Sequence, residues 1–247
     1  MLAFRHIIFD LDGTLIDSLP GIEWSAREAL AACGAGALWR DLGPLLGPPI
    51  RTILAQATGI DAPHRLDAME RAFRHSYDTE GWRQTVCFAG TLETLERLSA
   101  AGAGLWVATN KNRLATQKIL SQLGIGRFFR EVVCRDSRTP VFSTKAEMLI
   151  HLMDRRGLAP SECLMVGDTR EDAAAARAAG IPCAILSHVA PGPAGAPFPV
   201  PSAAATTLIA HGYGDAPGAG GIVCRSLSGW NELLTFCQPQ AVWVTQP

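Results

Sequence analysis

Short apolar runs alternate with amphipathic stretches along most of this chain. The apolar runs are typical of buried strands, and the stretches between them repeat apolar residues at helical spacing. The predicted strands span 5–9, 104–108, 131–134, 162–166, 183–186 and 222–224, and the predicted helices span 91–101, 112–123, 144–156, 171–179 and 229–236. This alternation predicts an α/β fold with a doubly wound, parallel, Rossmann-like sheet.

The segment 17–87 interrupts this alternation with helical patterns alone. These patterns cover 21–32, 51–58 and 63–78. Because the segment is too long for an ordinary crossover and has apolar faces of its own, we expect an inserted helical cap domain at 17–87. The catalytic core would then consist of 1–16 and 88–247.

Two further segments have an unusual composition. Residues 42–50, LGPLLGPPI, are rich in glycine and proline, which predicts a defined loop between two cap helices. Residues 190–221 are dominated by proline, alanine and glycine without periodicity. We expect this second segment to be a low-complexity insert in the core that forms an extended or mobile loop.

Composition and charge narrow the classes of function. A hydrophobic content of 48% with 18% charged residues predicts a globular protein, and a net charge of -1 offers no basic surface for nucleic acid. No stretch approaches the length of a membrane span. The N-terminus reaches Arg5, His6 and Asp10 before any apolar run long enough for a signal peptide, which predicts a cytoplasmic protein.

Candidate chemistry begins where the first predicted strand ends, at Asp10 and Asp12. Residues two apart in extended chain point the same way, so both carboxylates can face one pocket at the carboxyl end of the strand. A buried strand does not normally end in two acids unless a cation or a proton transfer stabilises them. Asp-Gly is also a common turn, so the pair alone leaves a purely structural role open.

Two later strands also end in polar residues. Thr109 and Asn110 follow strand 104–108, and their hydroxyl and backbone amide can bind phosphate oxygens. Asp168 follows strand 162–166, and Asp172 comes four residues later, where a helix dipole would also favour an acid. Strand-end carboxylates at such density disfavour ionisation without a divalent cation, and oxygen ligands of this kind suit Mg²⁺.

Lys145 opens the predicted helix 144–156, where a cation slightly opposes the helix dipole. It is one of only three lysines in the chain, the others being Lys111 and Lys118. Both observations favour a role other than that of a solvated surface charge.

The ten residues FDLDGTLIDS, from Phe9 to Ser18, resemble motif one of the haloacid dehalogenase superfamily of phosphohydrolases. The Thr-Asn pair, the lysine and GDTRED at 167–172 follow in the order of the remaining motifs of that superfamily. The insert at 17–87 resembles the helical cap of the subclass that contains phosphoglycolate phosphatase-like enzymes. The loop around Gly47 and Pro48 is similar to the substrate-facing loop of that cap.

This resemblance implies a Mg²⁺-dependent phosphatase that acts on a small phosphorylated metabolite. Asp10 would be the nucleophile and Asp12 the general acid and base. The implied ligands of Mg²⁺ are Asp10, the carbonyl of Asp12, Asp168 and, directly or in support, Asp172. The implied phosphate-binding residues are Thr109, Asn110 and Lys145, and the lysine would also contact the nucleophile.

The resemblance leaves substrate and some alternatives open. Arg51, just after the cap loop, is a candidate anion contact, or else a solvated arginine at a helix start. A dehalogenase needs no acid at Asp12, and a phosphonatase uses a cap lysine, which 17–87 lacks. A phosphomutase of the same superfamily, or a catalytically idle binding or regulatory module, remains as an alternative.

Overall fold

The computed structural model describes residues 2–38, 50–187 and 224–238. The strands, in chain order, are β1 (His6–Phe9), β2 (Ile16–Asp17), β3 (Val86–Cys87), β4 (Gly104–Thr109), β5 (Phe129–Cys134), β6 (Cys163–Gly167), β7 (Cys183–Leu186) and β8 (Cys224–Leu227). The α-helices are α1 (Leu19–Ala32), α2 (Ile50–Thr58), α3 (Pro63–Thr79), α4 (Thr91–Ala100), α5 (Arg113–Gln122), α6 (Lys145–Arg156), α7 (Arg170–Ala178) and α8 (Trp230–Phe236).

Six strands form one parallel sheet in the order β5-β4-β1-β6-β7-β8. The chain extends the sheet from β1 first toward β5 and later toward β8, so the strand order reverses at β1. Phe9 of β1 pairs with Val107 of β4 and with Val166 of β6, so these three strands end at nearly the same level. A reversal of this kind creates a crevice at the carboxyl ends of the strands. The predicted doubly wound α/β class is confirmed.

The central strands are mostly apolar because helices cover both faces of the sheet. Every residue of β4 and of β6 is buried, as expected for a parallel sheet inside an α/β protein. Ile8 belongs to a core cluster with Met148 and Leu152 of α6, whereas the ring of the next residue, Phe9, lies 6.5 Å from that of Trp230 of α8. Alternate residues of β1 therefore contribute to different layers, which fixes the register of the strand.

Some predicted boundaries differ from the structure. The short strands β2 and β3, which pair with each other, were not predicted because two residues are too few to show a period. The predicted strand 131–134 begins earlier, at Phe129. The final strand was expected at 222–224, of which only Cys224 is described, and it continues through the polar Arg225 and Ser226 to Leu227. β8 lies at the edge of the sheet, where the apolar pattern that marks a strand is weaker than in a central strand.

The chain divides into two compact units. One unit comprises Met1–Ile16, Cys87–Thr116 and Gly124–Pro247 and contains the six-stranded sheet. The other comprises Asp17–Val86 and Gln117–Leu123, so it also takes in the end of α5, which the expected cap of 17–87 did not include. Helices α1, α2 and α3 of the second unit pack through buried apolar side chains, among them Leu30, Leu54, Met69 and Phe73.

Two predicted features lie outside the described residues. These are the cap loop with Gly47 and Pro48, and the insert at 190–221. In the part of the chain that the structure describes, no helix combines the length and the apolar character that crossing a bilayer would require.

Candidate active site

Asp10 lies directly after β1, where the strand order reverses. Its backbone N–H donates to the Val166 carbonyl of β6 at 2.9 Å, so the parallel pairing continues one residue beyond β1. The Asp10 side chain is only 9% exposed. Because a buried carboxylate is unfavourable without cations or hydrogen bonds, the groups around Asp10 decide its chemistry.

The turn after Asp10 brings Asp168 against the backbone. Gly13 has a φ of 83°, in the left-handed region that favours glycine. A Cβ at Gly13 would lie 2.2 Å from Oδ2 of Asp168. The buried Thr14 donates its hydroxyl to Oδ1 of Asp168 at 2.9 Å. The Gly-Thr pair that follows Asp12 therefore fixes a carboxylate supplied by the end of β6.

Lys145 links Asp10 to Asp172. It is the first residue of α6, whose N-cap Thr144 accepts a hydrogen bond from the Glu147 backbone. The Lys145 Nζ lies 3.0 Å from Oδ1 of Asp10 and 2.5 Å from Oδ1 of Asp172. Burial alone would lower the pKa of Lys145, but the charges of Asp10 and Asp172 outweigh it and raise this pKa above its ordinary value. Lys145 therefore stays a cation between two carboxylates.

Asp172 holds the turn that follows β6. Its Oδ2 accepts from the backbone N–H groups of Asp168 and Thr169, at 3.3 and 3.0 Å, and from the Thr169 hydroxyl at 2.6 Å. Thr169 in turn accepts from the Asp172 N–H, which completes a capping box at the start of α7. Since Oδ1 contacts Lys145, both oxygens of Asp172 are engaged. This arrangement favours a positioning role for Asp172 over direct ligation of a metal.

Gly167→Ala is expected to destabilise the protein because a Cβ there would lie 2.3 Å from the Cγ of Asp172. The displaced Asp172 would lose its contacts to Lys145 and to the turn, and overpacking of this kind typically costs about 1–3 kcal/mol. Urea unfolding measures the loss. Gly229→Ala is the matched control, since a Cβ at Gly229 meets nothing within 4 Å. Equal stability of the two variants would contradict the close packing of Asp172.

Three carboxylates converge at this end of the sheet. Asp10, Asp168 and Asp172 each offer an oxygen, and these oxygens lie within 4.8 Å of one another. Burial, helped by the charges of Asp172 and Asp168, outweighs Lys145 and raises the pKa of Asp10 to about 7. Burial followed by the Asp172 charge raises the pKa of Asp168 to about 6. An oxygen-only donor set with more negative charge than Lys145 balances fits a hard divalent cation such as Mg²⁺.

The Asp12 carboxylate is paired with a different lysine. The Lys111 Nζ lies 2.9 Å from Oδ1 and 3.1 Å from Oδ2 of Asp12. The Lys111 side chain is 9% exposed, whereas that of Asp12 is 34% exposed. Asp10 and Asp12 thus contact separate cations although they are two residues apart, and Asp12 is the more accessible of the two.

The end of β4 supplies two polar residues of the predicted phosphate site. Thr109 is 1% exposed and lies one residue beyond the level of Asp10 in the strand register. Its hydroxyl accepts from the Lys111 backbone N–H at 3.2 Å. The side chain of Asn110 donates to Oε1 of Glu171 on α7 at 3.0 Å. The Asn110 side chain therefore connects the end of β4 to α7. The contact to phosphate that was predicted for Asn110 involves its backbone amide.

Arg51, the candidate anion contact in the cap, pairs with carboxylates of its own unit. Its Nη1 lies 2.5 Å from Oδ1 of Asp67 and 3.4 Å from Oε2 of Glu70 on α3, and its Nη2 donates to the Pro63 carbonyl at 3.3 Å. These contacts connect the start of α2 to α3. The two carboxylates also compete with any bound anion for the charge of Arg51.

Sequence reasoning missed three residues of the site: Thr14, Thr169 and Lys111. Thr14 lies within the motif FDLDGTLIDS. Thr169 supplies the hydroxyl of a capping box, which its spacing of three residues from Asp172 predicts. Lys111 carried a usable signal, because it is one of only three lysines and directly follows Thr109 and Asn110.

Comparison with known proteins gives one family. The model of the family described as haloacid dehalogenase-like hydrolase matches residues 7–186. A 5'-nucleotidase of Pseudomonas aeruginosa is 34% identical over 188 residues, which cover 74% of this chain and 82% of that protein. A phosphoglycolate phosphatase of Pseudomonas fluorescens is 33% identical over 197 residues, which cover 74% and 70%.

A solved structure gives the same fold. That of protein tyrosine kinase A from Mycobacterium tuberculosis matches with a TM-score of 0.70 and 28% identity over 94% of this chain and 97% of that chain. The likeness therefore spans relatives whose names describe phosphate removal and phosphate transfer.

Proposed function

Because the chain belongs to the haloacid dehalogenase-like hydrolases, we propose that it hydrolyses a small phosphomonoester, with Mg²⁺ as cofactor and Asp10 as the nucleophile. The family and the phosphatase names of its relatives make it a phosphatase. The observation that carries the finer proposal is the buried Asp10 carboxylate, which Lys145 contacts at 3.0 Å beside two further carboxylates.

The proposed reaction has two steps. In the first, an oxygen of Asp10 attacks phosphorus, the bond from phosphorus to the ester oxygen breaks, and Asp12 gives a proton to that leaving oxygen. In the second, Asp12 takes a proton from water as the water oxygen attacks phosphorus. The bond to Asp10 then breaks, so that phosphate leaves and both carboxylates return to their starting state. The greater exposure of Asp12 suits a group that must reach both the alcohol and water.

Three residues are proposed to hold the phosphoryl group: Lys145 of α6, Thr109 at the end of β4, and Asn110 directly after β4. Lys145 offsets the repulsion between Asp10 and an incoming phosphate dianion, because its ammonium already contacts Asp10. Thr109 accepts a bond from Lys111 and keeps its own hydroxyl proton to donate. The Asn110 backbone amide is the third proposed donor. Asp172 positions Lys145 at its other side.

Asp10 and Asp168 are the proposed carboxylate ligands of the cation, together with the Asp12 carbonyl, and Asp172 supports them. When bound, Mg²⁺ offsets the negative charge of the phosphoryl oxygens. Thr14 holds Asp168 in place through its hydroxyl. The proposed substrate class is that of small phosphorylated metabolites, as in phosphoglycolate phosphatase-like enzymes.

Phosphate release from a small aryl phosphate tests this function. We expect turnover with Mg²⁺, loss of turnover on addition of a chelator, and recovery when excess Mg²⁺ is restored. Turnover that is unchanged by the chelator would contradict the metal-dependent mechanism, and no turnover with any phosphomonoester of a broad panel would contradict the proposed reaction.

The stabilisation that Mg²⁺ gives is expected to depend on pH. Since the pKa values of Asp10 and Asp168 are raised to about 7 and about 6, both bind protons that a cation must displace. Their ionisation costs stability as pH rises through these values, and a bound cation reverses that cost. The rise in melting temperature on adding Mg²⁺ should therefore be larger at about pH 8 than at about pH 5.

The control for this pH dependence is Asp168→Ala, which removes one proposed ligand. We expect it to show little stabilisation by Mg²⁺ at either pH and a weaker Mg²⁺ affinity by calorimetry. An unchanged affinity in Asp168→Ala, or an equal rise in melting temperature at both pH values in the unmodified protein, would contradict the proposed ligands.

A further inference from the structure

Lys111 is a second cation in the site with a largely covered side chain, and the proposed reaction does not use it. It contacts both carboxylate oxygens of Asp12, whereas Lys145 contacts Asp10 and Asp172. The two lysines therefore divide the site. Lys145 lies at the nucleophile and the phosphoryl group, and Lys111 lies at the group that must face the leaving alcohol.

The distances place Lys111 beside the alcohol part of a substrate. To receive a proton, the leaving oxygen must come within about 3 Å of an Asp12 carboxylate oxygen. The Lys111 Nζ lies 2.9 and 3.1 Å from the two oxygens of Asp12. The Nζ is therefore at most about 6 Å from the leaving oxygen, since the two distances can do no more than add. This reach corresponds to the first few bonds of the alcohol.

The charge of Lys111 indicates what those atoms should carry. An ammonium that contacts both oxygens of Asp12 occupies the lone pairs to which the proton for the leaving oxygen must be bound. An anionic group on the alcohol would attract the ammonium and leave one Asp12 oxygen available to the leaving oxygen. A neutral alcohol has no charge that would attract the Lys111 ammonium away from Asp12.

We propose that Lys111 determines specificity by binding an anionic group, a carboxylate or a second phosphate, that lies close to the ester oxygen of the substrate. This inference rests on the proposed function, because it takes Asp12 as the group that protonates the leaving oxygen. The preferred substrates are then phosphomonoesters of short alcohols that bear a second negative charge.

The test compares three esters that differ in the second group of the same short alcohol: 2-phosphoglycolate, ethylene glycol bisphosphate and 2-hydroxyethyl phosphate. Lys111→Met should lower kcat/KM for an anionic ester about 10- to 100-fold more than for the neutral one, the usual worth of a hydrogen bond to a charged group. A selective loss with only one of the anionic esters identifies the carboxylate or the phosphate as the bound group. Lys111→Arg should restore part of the preference because it keeps the charge.

The matched control is Lys118→Met. The Lys118 Nζ donates to the Asp78 carbonyl at 3.0 Å and lies 5.4 Å from the centre of the Trp82 ring, among residues of the second unit. We expect this variant to keep the ratio between anionic and neutral esters. An equal loss with all three esters in Lys111→Met would overturn the proposal, since Lys111 would then serve Asp12 alone. An unchanged ratio and unchanged rates would overturn it too.

A binding measurement separates this inference from the reaction itself. In an Asp10→Asn background, calorimetry with Mg²⁺ should show tighter binding of an anionic ester than of 2-hydroxyethyl phosphate. Adding Lys111→Met should remove that difference. If the unmodified protein hydrolysed no ester of a broad panel, the proposed function would fail while this measurement still decided whether Lys111 binds an anionic group. Equal affinities for the anionic and neutral esters before the lysine is changed would overturn the inference.

Discussion

Asp10→Asn is expected to lower phosphate release by about 10⁴-fold or more, the scale on which loss of a nucleophile acts. The amide keeps the shape of the side chain but has no charge with which to attack phosphorus. Lys145 keeps its contact to Asp172, so the arrangement around the amide is expected to persist. Steady-state phosphate release and thermal unfolding of the same preparation separate lost chemistry from lost fold.

The control for this substitution is Asp154→Asn, which changes an exposed aspartate on α6 of the same unit. It should retain full turnover. If Asp10→Asn kept more than a small fraction of the activity while Asp154→Asn behaved like the unmodified protein, another residue would have to be the nucleophile.

Asp12→Asn is expected to slow turnover about 10²- to 10⁴-fold, the usual contribution of a general acid and base. Formation of the phosphoenzyme should suffer more with an alkyl phosphate than with a nitrophenyl phosphate, because a nitrophenolate leaves without a proton. Hydrolysis of the phosphoenzyme should be slow with either ester, since that step is common to both. Rapid-quench measurement of both steps gives the two rates separately.

Two outcomes would contradict the proposed roles of Asp12, one for each step of the reaction. Equal slowing of phosphoenzyme formation with alkyl and nitrophenyl phosphates would mean that Asp12 only positions other groups. Normal hydrolysis of the phosphoenzyme would contradict its role as the base in the second step.

The strand-end residues were predictable because a parallel sheet brings the carboxyl ends of its strands to one edge. Asp10, Thr109 and Asp168 each follow a short apolar run, and the observed register places these runs side by side. The fold class followed from the same alternation of strands and helices. The lysine of α6 was predictable as a functional residue from its rarity, and the resemblance implied its contact to the nucleophile, but its contact to Asp172 was not predicted.

The remaining contacts depend on distances between elements that are remote in sequence. The approach of Lys111 to Asp12 spans 99 residues and arises only when β4 pairs with β1. The pairing of Arg51 with carboxylates of α3 likewise depends on how α2 and α3 pack. The packing of Asp172 against Gly167 is local in sequence, but no sequence period encodes a contact so close that it leaves no room for a Cβ.

The most direct test of this account is to detect the phosphoryl group on Asp10. The protein is mixed with a phosphomonoester and Mg²⁺, quenched in acid within a single turnover, and digested for mass spectrometry. A transient phosphoryl adduct is expected on the peptide that contains Asp10; it should be absent in Asp10→Asn and longer-lived in Asp12→Asn. Complete release of phosphate in a single turnover, with no adduct on that peptide at any time in the unmodified protein or in Asp12→Asn, would contradict the nucleophilic role of Asp10.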